Sequence, residues 1–119
     1  MGLQKRLASF RYAFKGLYDL FRTQPNARIH LLAAAVAIIA ASYFRISTLE
    51  WVALLLCIGA VISLEAVNTA LEYLTDLVSP GRHPLAGKAK DVAAAAVLVA
   101  AMTSVVVALL IFFPRIKGG

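Results

Sequence analysis

Three apolar runs, at residues 27–44, 49–78 and 92–113, take up most of this 119-residue chain. A bilayer's hydrocarbon core is about 30 Å thick, and a helix rises about 1.5 Å per residue. The first run is the shortest and spans with its flanking residues reaching toward the interfaces. The apolar fraction is 61% and the mean hydropathy +0.82, against about 45–50% apolar for soluble domains. Charged residues make up 15% and are confined to particular stretches. The sequence thus predicts one all-α membrane domain over residues 1–119 with three transmembrane helices.

Ahead of the first span, Leu3, Leu7, Phe10, Phe14, Leu17 and Phe21 recur at spacings of four and three. Lys5, Arg6, Arg11, Lys15 and Arg22 fall mostly elsewhere on the same helix. Residues 1–22 therefore read as an amphipathic helix lying in the membrane interface. They do not read as a cleavable signal peptide, since the first apolar run begins only near Ile29. Thr23-Gln24-Pro25-Asn26 breaks that helix, and residues 45–48 turn the chain into the second span. Ser79-Pro80-Gly81 ends the second span, residues 82–91 read as a polar loop, and Pro114-Arg115 stops the third.

With three spans, the N-terminal region and the 79–91 loop share one side. That side holds nine of the twelve Lys and Arg residues, at positions 5, 6, 11, 15, 22, 28, 82, 88 and 90. By the positive-inside rule the N-terminus is cytoplasmic and the protein sits in the cytoplasmic membrane. The net charge of +6 belongs to this topology and to headgroup or phosphate contacts, with no nucleic-acid partner expected.

The second span carries the chemistry. Glu65, Asn68, Glu72 and Asp76 fall within roughly 80° of one another at about 100° per residue. A carboxylate inside a bilayer costs at least about 2.5–3.5 kcal/mol and marks function by default. Arg82, His83, Lys88 and Lys90 come from the loop to the same surface, with Arg11, Lys15, Arg22 and Arg28 from the N-terminal segment. Carboxylates with many cations beside a membrane suit binding of Mg²⁺ together with a polyphosphate. Phosphoryl transfer then needs positioning, charge neutralisation and a base for the acceptor hydroxyl. Glu65, deeper than the others, is placed to meet a hydroxyl at the membrane surface.

Other motifs fall away. Gly81-Arg82-His83-Pro84-Leu85-Ala86-Gly87-Lys88-Ala89 has one residue too many between its glycines for a P-loop, and Ala89 stands where Ser or Thr would hold the metal. The single Cys57 excludes an intrachain disulfide. His30 and His83 are too far apart in the chain to argue for zinc.

With these residues in view, the chain resembles the small prokaryotic diacylglycerol kinases and their undecaprenol kinase relatives. The resemblance is carried by Glu65-x-Val67-Asn68-Thr69-Ala70-Leu71-Glu72, by Asp76, and by Gly87-Lys88-Ala89-Lys90-Asp91. Lys15-Gly16 and Asn26-Ala27-Arg28-Ile29-His30 add to it. It implies a homotrimer with composite sites between subunits, Glu65 as catalytic base, and Glu72 as the ligand of Mg²⁺ under ATP. Lys5, Tyr12, Gly81, Arg82, His83, Lys90 and Asp91 match positions that approach ATP, with Asn68 and Asp76 in the polar network. Asn26, Arg28 and His30 match the neighbourhood of the lipid acceptor, diacylglycerol or undecaprenol.

Two departures stand out. Gln24 occupies a position where the family commonly has a metal-binding glutamate, so the site keeps a weaker, neutral ligand there. Thr75 stands where an apolar residue often precedes the aspartate. Two rival readings remain at this stage. A small oligomeric proton or ion pathway could use Glu65 as its relay. A non-catalytic membrane partner descended from the kinases is raised by Gln24.

Overall fold

The computed structural model describes residues 2–118 as four helices. These are α1 (Gly2–Thr23), α2 (Pro25–Phe44), α3 (Thr48–Val78) and α4 (Pro84–Lys117). Met1, the first residue of the expected interfacial helix, and Gly119 lie outside the described residues.

Gln24 alone separates α1 from α2. A residue before proline is pushed to extended backbone, and Gln24 has φ −109° and ψ 105°. Pro25 then opens α2, where its missing N–H leaves nothing unpaired. Arg28 Nη1 donates to the carbonyls of Phe21 and Arg22 at 3.1 and 2.7 Å. That places a cation on the negative end of α1 and satisfies two carbonyls the helix leaves free.

Between α2 and α3, Arg45 is left-handed at φ 52° and its N–H closes α2 on the carbonyl of Ala41. Ile46 donates to the same carbonyl at 3.3 Å and tucks into an apolar cluster with Ala41, Leu54 and Ile111. Ser47 and Glu50 then form a reciprocal capping box that starts α3, with bonds of 2.9 and 3.2 Å. Glu50 has a second partner at the far end of α4. Arg115 grips its carboxylate with both guanidinium nitrogens at 2.8 and 2.6 Å.

This grip explains a difference from the sequence reading. The third span does not stop at Pro114; α4 continues through it to Lys117. Proline removes one helical hydrogen bond, and Arg115 ties the following turn to α3 and to the carbonyl of Ile111 at 2.8 Å. The polar stretch 84–91 also differs from the expected loop, for it forms the first two turns of α4. His83 caps these turns by accepting the Leu85 N–H on Nδ1 at 3.1 Å, and Pro84 follows at the first helical position.

Three helices, α2 to α4, are long and apolar enough to cross a membrane. With 31 and 34 residues, α3 and α4 measure about 46 and 51 Å. Both outrun the hydrocarbon core, and their polar ends lie together. They make the most extensive helix pair. The molecule is a slab of 54 × 43 × 21 Å, with small residues turned inward. On α2 the buried positions are Ala27, Ala34 and Ala41, seven apart. A small-residue seam lets helix backbones approach closely in lipid. On α3 the buried positions are Leu54, Val61, Glu65 and Thr69. Bulky groups such as Ile39, Leu56 and Leu110 face outward, at 69–70% exposure.

Arg115→Ala should lower the thermal unfolding midpoint in detergent by about 5 °C while helical content at room temperature stays unchanged. Arg115→Lys, which cannot make the two-pronged contact, should fall between. Circular dichroism checks both, and an unchanged midpoint in Arg115→Ala would show that the grip contributes nothing.

Candidate active site

Because α3 is one uninterrupted helix, the acidic stripe stays on one face. Asn68 Nδ2 donates to Glu72 Oε1 at 3.1 Å, the contact that four-residue spacing favours. Glu65 lies seven residues earlier, about 10 Å deeper along the axis. Its side chain occupies a seam position at 4% exposure. Across the seam, His30 of α2 brings Nε2 to 3.3 Å from Glu65 Oε2. The approach lacks hydrogen-bond alignment. Glu65 Oε2, Asn68 Oδ1 and Thr69 Oγ1 are thus buried without a hydrogen-bond partner among the described residues. Three unmet polar atoms within five residues are costly in a structural seam and fitting in a site that receives a ligand.

Closer to the membrane surface, Asp76 Oδ1 accepts from Lys90 Nζ at 2.5 Å, tying the end of α3 to the start of α4. Lys90 lies in the polar turns ahead of the third apolar run. Its bond to Asp76, with the nearby charges of Asp76 and Glu72, holds its ammonium above the usual lysine range. Both ends of the α3–α4 hairpin are therefore tied by ion pairs. A hollow of about 650 Å³ opens beneath, lined by Asp76, Gly81, Arg82, His83 and Lys90 among others. It is open, basic and built at a helix N-terminus, the surroundings that suit phosphate oxygens.

α1 reaches this region from the other side. Tyr73, next to Glu72, donates its hydroxyl to Asp19 Oδ2 at 2.7 Å and lies 3.4 Å from Thr23 Oγ1. Gln24 Nε2 donates to that same Thr23 oxygen at 3.3 Å. A polar chain therefore runs from Gln24 through Thr23 to Tyr73, without direct contact between Gln24 and Glu72.

The structure brings together Asn68 with Glu72, Asp76 with Lys90, Gly81, Arg82 and His83, and Glu65 with His30. Lys5 and Tyr12 stand exposed on α1 and do not line the hollow, and Asn26 and Asp91 are exposed as well. Arg28 is engaged in capping α1. Sequence reasoning missed Tyr73, Asp19 and Thr23. The last two sit four apart on one helix face, a faint signal without knowledge of what packs there. It also missed the pairing of Glu50 with Arg115, though Ser47-x-x-Glu50 carries the capping-box pattern.

Among the described residues no three His, Cys, Asp or Glu side chains converge into a self-contained metal cage. What Glu72 and the unpartnered Asn68 Oδ1 offer is a small set of hard oxygen donors. That set fits a cation whose shell is completed by phosphate oxygens and water.

Prokaryotic diacylglycerol kinases, as a family, match residues 11–112. The chain belongs to that family. Among its relatives, the undecaprenol kinase of Bacillus subtilis (strain 168) is 40% identical over 114 residues, covering 96% of this chain and 93% of that one. The diacylglycerol kinase of Synechocystis is 45% identical over 102 residues, 85% of this chain and 58% of that protein's length. The diacylglycerol kinase of Escherichia coli (strain K12) is 28% identical over 105 residues, 88% of this chain and 86% of that one. A kinase family gives no support to the ion-pathway reading.

Tyr73→Phe should speed amide hydrogen exchange at the end of α1, around residues 16–23, because the Asp19 bond is lost. Global stability should change by less than about 1.5 kcal/mol, since the bond is exposed and neutral on one side. Exchange rates equal to the native protein's would show that the hydroxyl does not hold α1.

Proposed function

We propose that this membrane kinase transfers the γ-phosphate of ATP to the hydroxyl of a membrane lipid, with undecaprenol the acceptor and undecaprenyl phosphate the product. The near-complete overlap with the Bacillus subtilis undecaprenol kinase supports that acceptor. Diacylglycerol, giving phosphatidic acid, is the second reading, favoured by the names of the other two relatives. The observation that carries the mechanism is Glu65, a carboxylate at 4% exposure in a helix seam, well beneath the polar hollow.

Glu65 takes the proton of the lipid hydroxyl as its oxygen bonds to the γ-phosphorus. The bond from that phosphorus to the β–γ bridging oxygen breaks, and ADP leaves. The lipid is confined to the bilayer, so the base has to lie at membrane depth while the nucleotide stays in water. Arg82, His83 and Lys90 bind the phosphates from the hollow, with Asp76 holding Lys90 in place. Asp91, one residue beyond Lys90 on α4, is exposed and outside the hollow's lining. Glu72, Asn68 and Gln24 would hold Mg²⁺, which when bound neutralises phosphate charge. Gln24 supplies an amide oxygen in place of a carboxylate.

The active assembly is a homotrimer in the cytoplasmic membrane, with its N-terminus in the cytoplasm. The apolar outer faces of α2 to α4 support contact with lipid and with other copies. Lys5 and Tyr12, outside the hollow of their own subunit, would serve a neighbour's nucleotide. α1 lies in the interface, its Leu3, Leu7, Phe10 and Phe14 all at least 59% exposed.

Labelled ATP with a panel of lipid acceptors, using purified protein in detergent, tests the reading. Undecaprenol should be labelled faster than diacylglycerol, and no labelled lipid at all would sink the proposal. Glu65→Gln should cut turnover by about 10²-fold or more while assembly and MgATP binding persist. Near-native turnover in this variant would remove the base from its role. Glu72→Gln should raise the Mg²⁺ concentration needed for half-maximal rate, and Gln24→Glu should lower it. A Mg²⁺ titration that coincides with the native curve for both would refute the metal assignment.

A further inference from the structure

We propose that His30 is the positioning residue of Glu65, holding the catalytic carboxylate in one orientation from the neighbouring helix. The inference rests on the kinase reading and assigns His30 a different task from contacting the lipid. Among the described residues, His30 is the one ionisable side chain within ion-pair distance of Glu65, at 3.3 Å. Glu65's own helix offers it no anchor. The amide nitrogen of Asn68, one turn on, is committed to Glu72, and the Thr69 hydroxyl makes no hydrogen bond. Without a partner a glutamate has several rotamers open to it, and most would aim the base away from a substrate.

The 3.3 Å approach is attractive when His30 Nε2 bears a proton, either in the imidazolium or in the neutral Nε2–H tautomer. The contact is an ion-pair approach and not an aligned hydrogen bond. The position of the ring is set by its helix. It stands between Ala27 and Ala34, the buried small residues that bring α2 against α3, and α2 is fixed at its start by Pro25 and Arg28. Its remaining surroundings include an apolar hollow of about 230 Å³ lined by Ala33, Ala37, Val61 and Ile62 among others. Ser104, which also lines it, commits its hydroxyl to the carbonyl of Ala100, so among the described residues Glu65 is the carboxylate the ring meets, and a site held from two rigid helices is held precisely.

The test uses the full chain in detergent with labelled ATP and a lipid acceptor. His30→Ala should lower kcat at least ~10-fold, with KM for ATP and for lipid changing less than ~3-fold. His30→Gln, which keeps a neutral N–H donor, should recover a large part of that loss. In a Glu65→Asp background, whose shorter carboxylate no longer reaches the ring, His30→Ala should cost little more. Circular dichroism and size-exclusion chromatography show that each variant is folded. A native kcat in His30→Ala overturns the proposal, as does a rise confined to the KM for lipid. A folded His30→Gln as slow as His30→Ala overturns it too. A native protein that labels no lipid would bring down the kinase reading and this inference together, whereas a native protein that labels lipid keeps the two separable.

Discussion

A carboxylate in the buried seam of a membrane helix pair is the constraint around which this molecule is arranged. On the α3 seam, after Leu54 and Val61, comes Glu65 where another apolar residue would pack at no cost. Keeping a charge there costs about 2.5–3.5 kcal/mol on the most lenient scale. The alanine seam of α2 lets His30 approach, α3 stays unbroken so that Asn68 and Glu72 share its face, and α4 brings cations to the same end. A seam built only for packing would carry neither the carboxylate nor the imidazole beside it.

The α3–α4 hairpin supplies the rigidity. Glu50 and Arg115 close one end, and Asp76 and Lys90 the other. These pairs lie roughly a full helix length apart, one at each end of the most extensive helix pair, and the polar hollow lies at the second. α1 is held differently. It touches α3 through the exposed bond of Tyr73 to Asp19 and through the buried Leu20 beside Ala66 and Ala70.

Much of this could be read from residues alone, and the reasons are periodic. A stripe at positions 65, 68, 72 and 76 survives any tertiary arrangement, because helix geometry by itself puts those side chains together. Membrane spans are equally legible, since lipid leaves the backbone no alternative to internal hydrogen bonding. The parts that escaped depend on distance in sequence. The bonds of Arg28 to the end of α1 escaped because the carbonyls of Phe21 and Arg22 come free only where that helix ends. Residues 84–91 read as a loop because they are polar, yet a proline in the first turn and a capping histidine suit a helix start. Pro114 reads as a stop, yet α4 runs on to Lys117, and Arg115 in that last turn reaches Glu50, 65 residues away. Local rules state what a segment prefers, and a partner elsewhere decides whether it obeys.

The link between α1 and the rest is a single residue, with a proline immediately after it. Pro25 has its φ locked by its ring, and Arg28 spans the joint by holding the carbonyls of Phe21 and Arg22. Any change in the angle between α1 and α2 must therefore turn the Gln24 backbone and strain that hold. The tilt of α1 against α2 and the reach of the Gln24 side chain are thus set by one and the same joint.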